Sequence, residues 1–241
     1  MEKLLRIFLL ALLFAHSVAC KKKSPSAKNY RNLALTEESK QNYQQAIFYY
    51  NKAIELEPQN PDLFSSRGWA KKWMGDIDGA IADFSISLQK ETTFEKSTHV
   101  VFEERGRLYL QKGLLKEAFD DFTKAIEIDS SFSSFYCRAG VRVKLKDFTG
   151  LLEDCNAALM LQEREKAAAI LEGETITHEW GDPYIYKAIA YYNLGNKSEM
   201  CLNYAKYVNC EEDFDNVAEQ ETYEPMIDSI CKIGSRETIK W

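Results

Sequence analysis

From Ala27 onward the apolar residues recur three and four positions apart, in runs of about a dozen residues punctuated by Asp, Gly and Asn. That period predicts amphipathic helices. The runs come in pairs, and the pairs resemble one another. Phe64 to Leu88 reads FSSRGWAKKWMGDIDGAIADFSISL, Phe102 opens FEERGRLYLQKGLLKEAFDDFTKAI, and Phe135 opens FYCRAGVRVKLKDFTGLLEDCNAAL. Each copy places an aromatic, then Arg and a small residue, then a polar turn, then a small or aliphatic residue ahead of an aromatic or Cys. Self-similarity of this length sets a whole fold, because one helix pair cannot bury its apolar face alone.

The unit resembles the tetratricopeptide repeat, a helix–turn–helix of about 34 residues. That family places a large residue fourth, small ones eighth and twentieth, an aromatic twenty-fourth and a small one twenty-seventh. The copy at 27–60 supplies Tyr30, Ala34, Ala46, Tyr50, Ala53 and Pro58, and the copy at 61–94 supplies Phe64, Gly68, Ala80, Phe84 and Ser87. The copy at 99–131 supplies Phe102, Gly106, Ala118, Phe122 and Ala125. The copy at 132–165 has Phe135, Ala139 and Ala158 but Leu151 and Cys155 where Ala and an aromatic are expected. The copy at 181–214 has Tyr184, Ala188 and Tyr204 but Met200 and Tyr207 at small positions. Small residues let the two helices approach, and aromatics fill the space beside the contact. Enlarged residues such as Leu151 and Met200 are expected to widen their pairs. The resemblance implies an all-α, right-handed α-solenoid of about five repeats.

Two insertions interrupt the period, at 95–98 and 166–180. The start of the second, KAAAILEG, favours helix up to Gly173 and is expected to lengthen the fourth repeat's second helix. Residues 215–241 are expected to form a C-terminal cap: Pro225 opens a helix, Met226, Ile227, Ile230 and Ile233 form its apolar stripe, and Gly234 ends it.

Composition adds little, but charge distribution does. The net charge of -6 gives no case for nucleic acid. Lys21, Lys22, Lys23, Lys28 and Arg31 form a basic arm, and eight carboxylates without a Lys or Arg lie between Glu211 and Asp228. Both fit solvated surfaces, and the arm also suits anionic lipid headgroups.

The N-terminus reads MEKLLRIFLLALLFAHSVAC, with Lys3 and Arg6 ahead of an apolar run from Ile7 to Ala15. That run is short for a membrane span. The stretch resembles a bacterial lipoprotein signal peptide over 1–19, with Ala19 before Cys20 as the residue to be acylated; Ser17 departs from the Leu usual there. Acyl chains bury CH₂ groups at about 0.8 kcal/mol each, so lipid and adjacent lysines give stable attachment. Residues 20–26 then tether the domain. The expected location is the bacterial envelope, on the outer membrane or cell surface rather than the inner membrane. The competing reading takes Ser17-Val18-Ala19 as an ordinary cleavage site, giving a secreted or periplasmic soluble protein.

Catalytic constellations are missing. After Cys20 there are only His99 and His178, and His178-Glu179 has no second His four residues on. No phosphate-binding loop or nucleophile elbow occurs, and no cofactor or metal is expected. Asp120-Asp121 and Glu153-Asp154 read as solvated helix faces. Cys137, Cys155, Cys201, Cys210 and Cys231 match no zinc spacing. Cys155 reads as a buried small hydrophobe. On one continuous helix Cys201 and Cys210 stand roughly 13 Å apart, too far to bridge. Cys210 with Cys231 is a possible pair if the last helix folds back.

In solenoids of this family the concave face is lined by the second, fifth, ninth, twelfth and thirteenth residues of each first helix. Carried onto this chain, those positions give Arg31 and Leu35; Ser65, Trp69, Lys72 and Trp73; Glu103, Arg107 and Gln111; Tyr136, Val143 and Lys144; and Ile185, Ile189 and Tyr192. Trp69, Lys72, Trp73, Arg107, Tyr136, Lys144, Ile189 and Tyr192 are the partner-binding candidates, because Trp, Tyr and Arg carry much of the energy at interfaces. Packing against neighbouring repeats is the competing role for each. Arg67, Arg105 and Arg138 recur at the seventh position, where periodicity suggests pairing with acids between helices. The chaperone-tail clamp of some family members asks for a cation fifth and Asn ninth; Arg31 fits and Leu35 does not. The expected function is a non-catalytic, membrane-anchored scaffold or assembly factor that binds a protein or peptide partner. The alternatives are a structural envelope protein whose groove is filled by itself or by self-association, and an adaptor for an envelope hydrolase.

Overall fold

The computed structural model describes residues 25–91, 97–171, 182–209 and 220–231. The expected signal peptide, Cys20, the lysines at 21–23, Cys210 and the carboxylates of 211–219 lie outside the described residues. So do Ile233 and Gly234, the expected last stripe residue and helix stop.

The described elements are helices, and the first ten fall into five pairs. They are α1 (Ala27–Ser39) and α2 (Tyr43–Leu56), α3 (Pro61–Trp73) and α4 (Ile77–Lys90), and α5 (Thr98–Gln111) and α6 (Leu115–Ile128). Then come α7 (Phe132–Leu145) and α8 (Phe148–Leu171), α9 (Asp182–Asn193) and α10 (Lys197–Val208), and finally α11 (Gln220–Cys231). Each helix packs on its partner, and each second helix packs also on the helix that follows it, which makes an all-α repeat solenoid. Polar side chains open several helices: Ser26, Asn60, Asp76, Ser131 and Asn196 each accept a backbone N–H of the first turn.

Inside the second and third pairs the small-against-aromatic scheme holds at close range. A Cβ added at Gly68 would meet Phe84 Cε1 at 2.9 Å, and one at Gly106 would meet Phe122 Cε1 at 3.0 Å. Tyr50, Phe84, Phe122 and Tyr204 are fully buried at the twenty-fourth position. The fourth repeat exchanges volumes, with Leu151 buried where the first three have Ala and Cys155 buried where the other four have an aromatic. A large residue facing a small one keeps the core filled. Helix α8 runs for 24 residues, so the insertion does lengthen it as far as Leu171.

Three buried ion pairs recur with the repeat. The guanidinium of Arg67 donates through Nε and Nη2 to Asp83 at 2.8 and 2.6 Å, that of Arg105 to Asp121 at 2.8 and 2.7 Å, and that of Arg138 to Asp154 at 3.0 and 2.6 Å. The remaining Nη1 reaches back to the preceding repeat's second helix, at Asn51, Ser85 and Thr123 respectively. Each arginine thus ties three helices together. The pairing expected for these arginines is present, whereas Asp121 and Asp154 are not on solvated faces; only their neighbours Asp120 and Glu153 are. Burial raises the Asp121 carboxyl while the Arg105 guanidinium pulls it back.

The last helix departs from expectation. It begins at Gln220 and contains Pro225 in its interior instead of starting there. Met226, expected on the apolar stripe, is exposed, while Ile227 is fully buried. Tyr223, Ile230 and Cys231 pack beside Ile227 against α9 and α10. Cys231 forms its disulfide with Cys201, with Cα atoms 5.4 Å apart, and so not with Cys210 as the sequence had allowed. No described helix is long and apolar enough to cross a membrane.

Candidate partner-binding groove

The first helices of successive repeats adjoin along one side of the solenoid, and side-chain contacts stitch that side together. Lys72 of α3 forms an ion pair with Glu104 of α5. Arg107 of α5 donates from Nη2 to Ser133 Oγ of α7 at 2.8 Å. Tyr136 of α7 lies 5.4 Å from the ring of Tyr186 in α9. These links follow from sequence position, because residues three or four apart on each helix point the same way.

The centre of this face lies on the second and third repeats. Lys72 Nζ sits 4.8 Å from the Trp69 ring and 5.4 Å from the Trp73 ring, so the ammonium lies between two indoles. Its other partner, Glu104, also stands 3.7 Å from Arg107 Nε, so one carboxylate serves two cations. The two tryptophans differ in role. Trp73 is 61% exposed. Trp69 is half-buried, edge-on to Phe84 at 5.9 Å, and belongs to the packing between the second and third repeats.

Beside them, Glu103 is buried and accepts the hydroxyls of Ser131 at 3.0 Å and Ser133 at 3.3 Å, as well as that of Ser134. Its carboxylate is therefore spent on the α5–α7 seam. Arg107 remains partly exposed and Lys144, at the end of α7, is exposed. Arg31 and Leu35 are exposed on α1, Gln111 is exposed on α5, and Ser65 is half-buried on α3.

Toward the fourth and fifth repeats the expected lining is mostly core. Val143, Ile185 and Ile189 are buried, so Ile189 is not an open groove residue. Val143 packs between α7 and α9, and α11 packs against α9 and α10 in the same cluster, which also holds Ile185 and Ile189. Tyr192 lies edge-on to Tyr223 of α11 at 5.9 Å. Tyr136 is half-buried, stacked on Phe132 at 6.0 Å. Trp69, Lys72, Trp73 and Arg107 therefore come together around Glu104, whereas Tyr136, Ile189 and Tyr192 belong to a separate packed end. Glu104 was missed because it falls at a sixth position; its place one turn before Arg107 was the available signal.

Two segments, 27–60 and 101–132, match models of the tetratricopeptide repeat. Human tetratricopeptide repeat protein 13 is 29% identical over 139 residues, covering 56% of this chain and 16% of that protein. The chain spans less than half the length of the curated relatives it matches. Among solved structures, MamA superposes with a TM-score of 0.64 at 16% identity, covering 82% of this chain and 95% of that one. YrrB, described as a TPR protein with an unusual peptide-binding site, superposes with a TM-score of 0.64 at 15% identity, covering 82% and 92%. Those two segments carry the tetratricopeptide repeat, and the fold of the chain is the all-α solenoid that MamA and YrrB share.

Proposed function

We propose that this chain is a non-catalytic, lipid-anchored repeat protein of the bacterial envelope, which holds a protein or peptide partner on the concave side of its second to fourth repeats. The observation that carries the reading is the exposed Trp73, flanked by Lys72 and Arg107 on one continuous face. A large indole with cations beside it suits an extended or helical peptide. YrrB, of the same fold, is described as having a peptide-binding site, which supports the same use here. The anchor rests on the resemblance of the N-terminus to a lipoprotein signal, with Cys20 as the acylated residue.

The test is crosslinking in intact cells followed by identification of captured proteins. Trp73→Ala combined with Arg107→Ala is preferable to a change at Trp69, which also packs on Phe84. The double change should cut capture of a specific partner by about tenfold or more, at unchanged helical circular dichroism. Capture that survives intact would sink the groove reading. For the anchor, Cys20→Ala should release the chain from membranes and remove acyl mass from the N-terminal peptide.

One observation favours a second reading, a groove filled by the chain itself. Helix α11 already covers Ile189 and Tyr192 in the fifth repeat. It leaves the Trp73 region open, so self-filling accounts for one end only.

A further inference from the structure

We propose that the Cys201–Cys231 disulfide is a redox latch, which holds α11 over the fifth-repeat end of the groove so that reduction lengthens the face open to a partner. The proposal rests on the groove reading above and concerns the regulation of that surface.

Repeat position makes the argument. Ile189 and Tyr192 are the ninth and twelfth residues of the fifth repeat, as Trp69 and Lys72 are of the second. In the second repeat this stripe leads to the exposed Trp73. In the fifth it lies under α11, with Tyr223 edge-on to Tyr192 at 5.9 Å and Ile227 buried in the same cluster as Ile189. One stretch of the same face is open and the other is lidded by the chain's own helix.

Apart from its covalent tie, the lid rests on a short apolar seat of Tyr223, Ile227 and Ile230. Ile227 is the one residue of α11 that is fully buried among those described, and Met226 is 42% exposed. Pro225 sits inside the helix and removes a backbone donor from its ladder. The Tyr204 hydroxyl of α10 and Asp228 Oδ1 of α11 itself are buried without a hydrogen-bond partner among the described residues. Unmade hydrogen bonds and a short apolar stripe make a poor seat. The disulfide joins residues 30 apart in sequence, so breaking it returns considerable freedom to α11.

Among the described cysteines the chemistry is confined to this pair. Cys201 and Cys231 are only half-buried, within reach of a dithiol reductant. One reductant thiolate attacks a latch sulfur, and its second thiol resolves the mixed disulfide. Two electrons and two protons pass to Cys201 and Cys231, leaving two thiols and an oxidised reductant. The free thiols of Cys137 and Cys155 are buried, and burial pushes both up, Cys137 to about 11, so neither supplies a competing thiolate.

The test compares the oxidised full chain with the same chain reduced by dithiothreitol and with Cys231→Ser. Amide hydrogen exchange is followed by mass spectrometry, and N-acetylimidazole labelling reports access to Tyr192. Loss of the latch should speed exchange of 220–231 by roughly a hundredfold and raise acetylation of Tyr192, with α3–α6 unchanged. Equal protection of α11 in all three forms overturns the proposal, as does a Tyr192 still shielded once α11 has loosened. Faster exchange across every repeat overturns it too, since the bond would then staple the whole fold. None of these readouts depends on Trp73 or Arg107, so the latch and the groove reading stand or fall separately.

Discussion

At position fifteen of every repeat the backbone turns left-handed: φ is 60° at Gln41, 84° at Gly75, 73° at Gly113, 58° at Lys146 and 75° at Gly195. This residue reverses the chain between the two helices of a pair, and only Gly adopts it without strain. A Cβ at Gly113 would touch nothing within 4 Å, so Gly113→Ala isolates the backbone cost. That change should destabilise by about 1–2 kcal/mol, while Lys146→Gly should stabilise by up to about 1 kcal/mol. Thermal midpoints moving in opposite directions, by about 2–4 °C per kcal/mol, would bear this out. The three glycines could be read as turn residues from the sequence. Gln41 and Lys146 could not, because nothing in their side chains announces the conformation; only alignment with the other repeats does. The tryptophans teach the same lesson at the groove. Trp69 and Trp73 are one turn apart and share a face, yet Phe84 reaches only the first. Depth within a face depends on the neighbouring repeat, which spacing along one helix does not report.

At the scale of the element, the recurring Arg–Asp pairs decide how helices are joined. In all three pairs the arginine and its aspartate lie 16 residues apart, one on each helix of a pair, with the third guanidinium nitrogen reaching the preceding repeat. Asp83 and Asp154 each hold a second cation, Lys71 at 2.8 Å and Arg142 at 2.9 Å. Ion pairs this buried gain little over apolar packing but are costly to break on one side. Arg105→Met alone should cost about 2–4 kcal/mol, because it strands the Asp121 carboxylate. Arg105→Met with Asp121→Leu should recover most of that loss, and a denaturant midpoint measured for each single and double variant gives the coupling. If the double variant is as weak as the sum of the singles, the two residues are not coupled. The period of the arginines was visible in the sequence. Their partners were not, since Asp120 and Asp121 differ only by 100° around one helix and burial chooses between them. The start of α11 was misread for a related reason: Pro225 suits a first turn, but tertiary packing of Tyr223 and Ile227 carries the helix back past it.

Across the whole molecule the ion-pair rungs are confined to the middle. The equivalent positions are Leu33 and Tyr49 in the first repeat and Lys187 and Asn203 in the fifth. Leu33 is 43% exposed, whereas the rung aspartates are buried. Burial lowers the Lys187 ammonium, and Lys206 adds to this against the opposing Cys155 and Glu199. Solenoid stability is close to a sum of repeat terms and nearest-neighbour interface terms. The central repeats, each pinned across its own pair and to the repeat before, should therefore open last. The first repeat has one such tie, from Asn51 Oδ1 to Arg67 Nη1 at 2.6 Å. Native-state hydrogen exchange should find α1 and α2 exchanging at least about tenfold faster than α5 to α7. Asn51→Ala removes that tie while leaving Arg67 on Asp83, and it should speed exchange in α1 and α2 with little effect beyond α4. A uniform acceleration along the chain would mean that the repeats unfold as one unit, and that the rungs stabilise each pair without setting the order in which pairs separate.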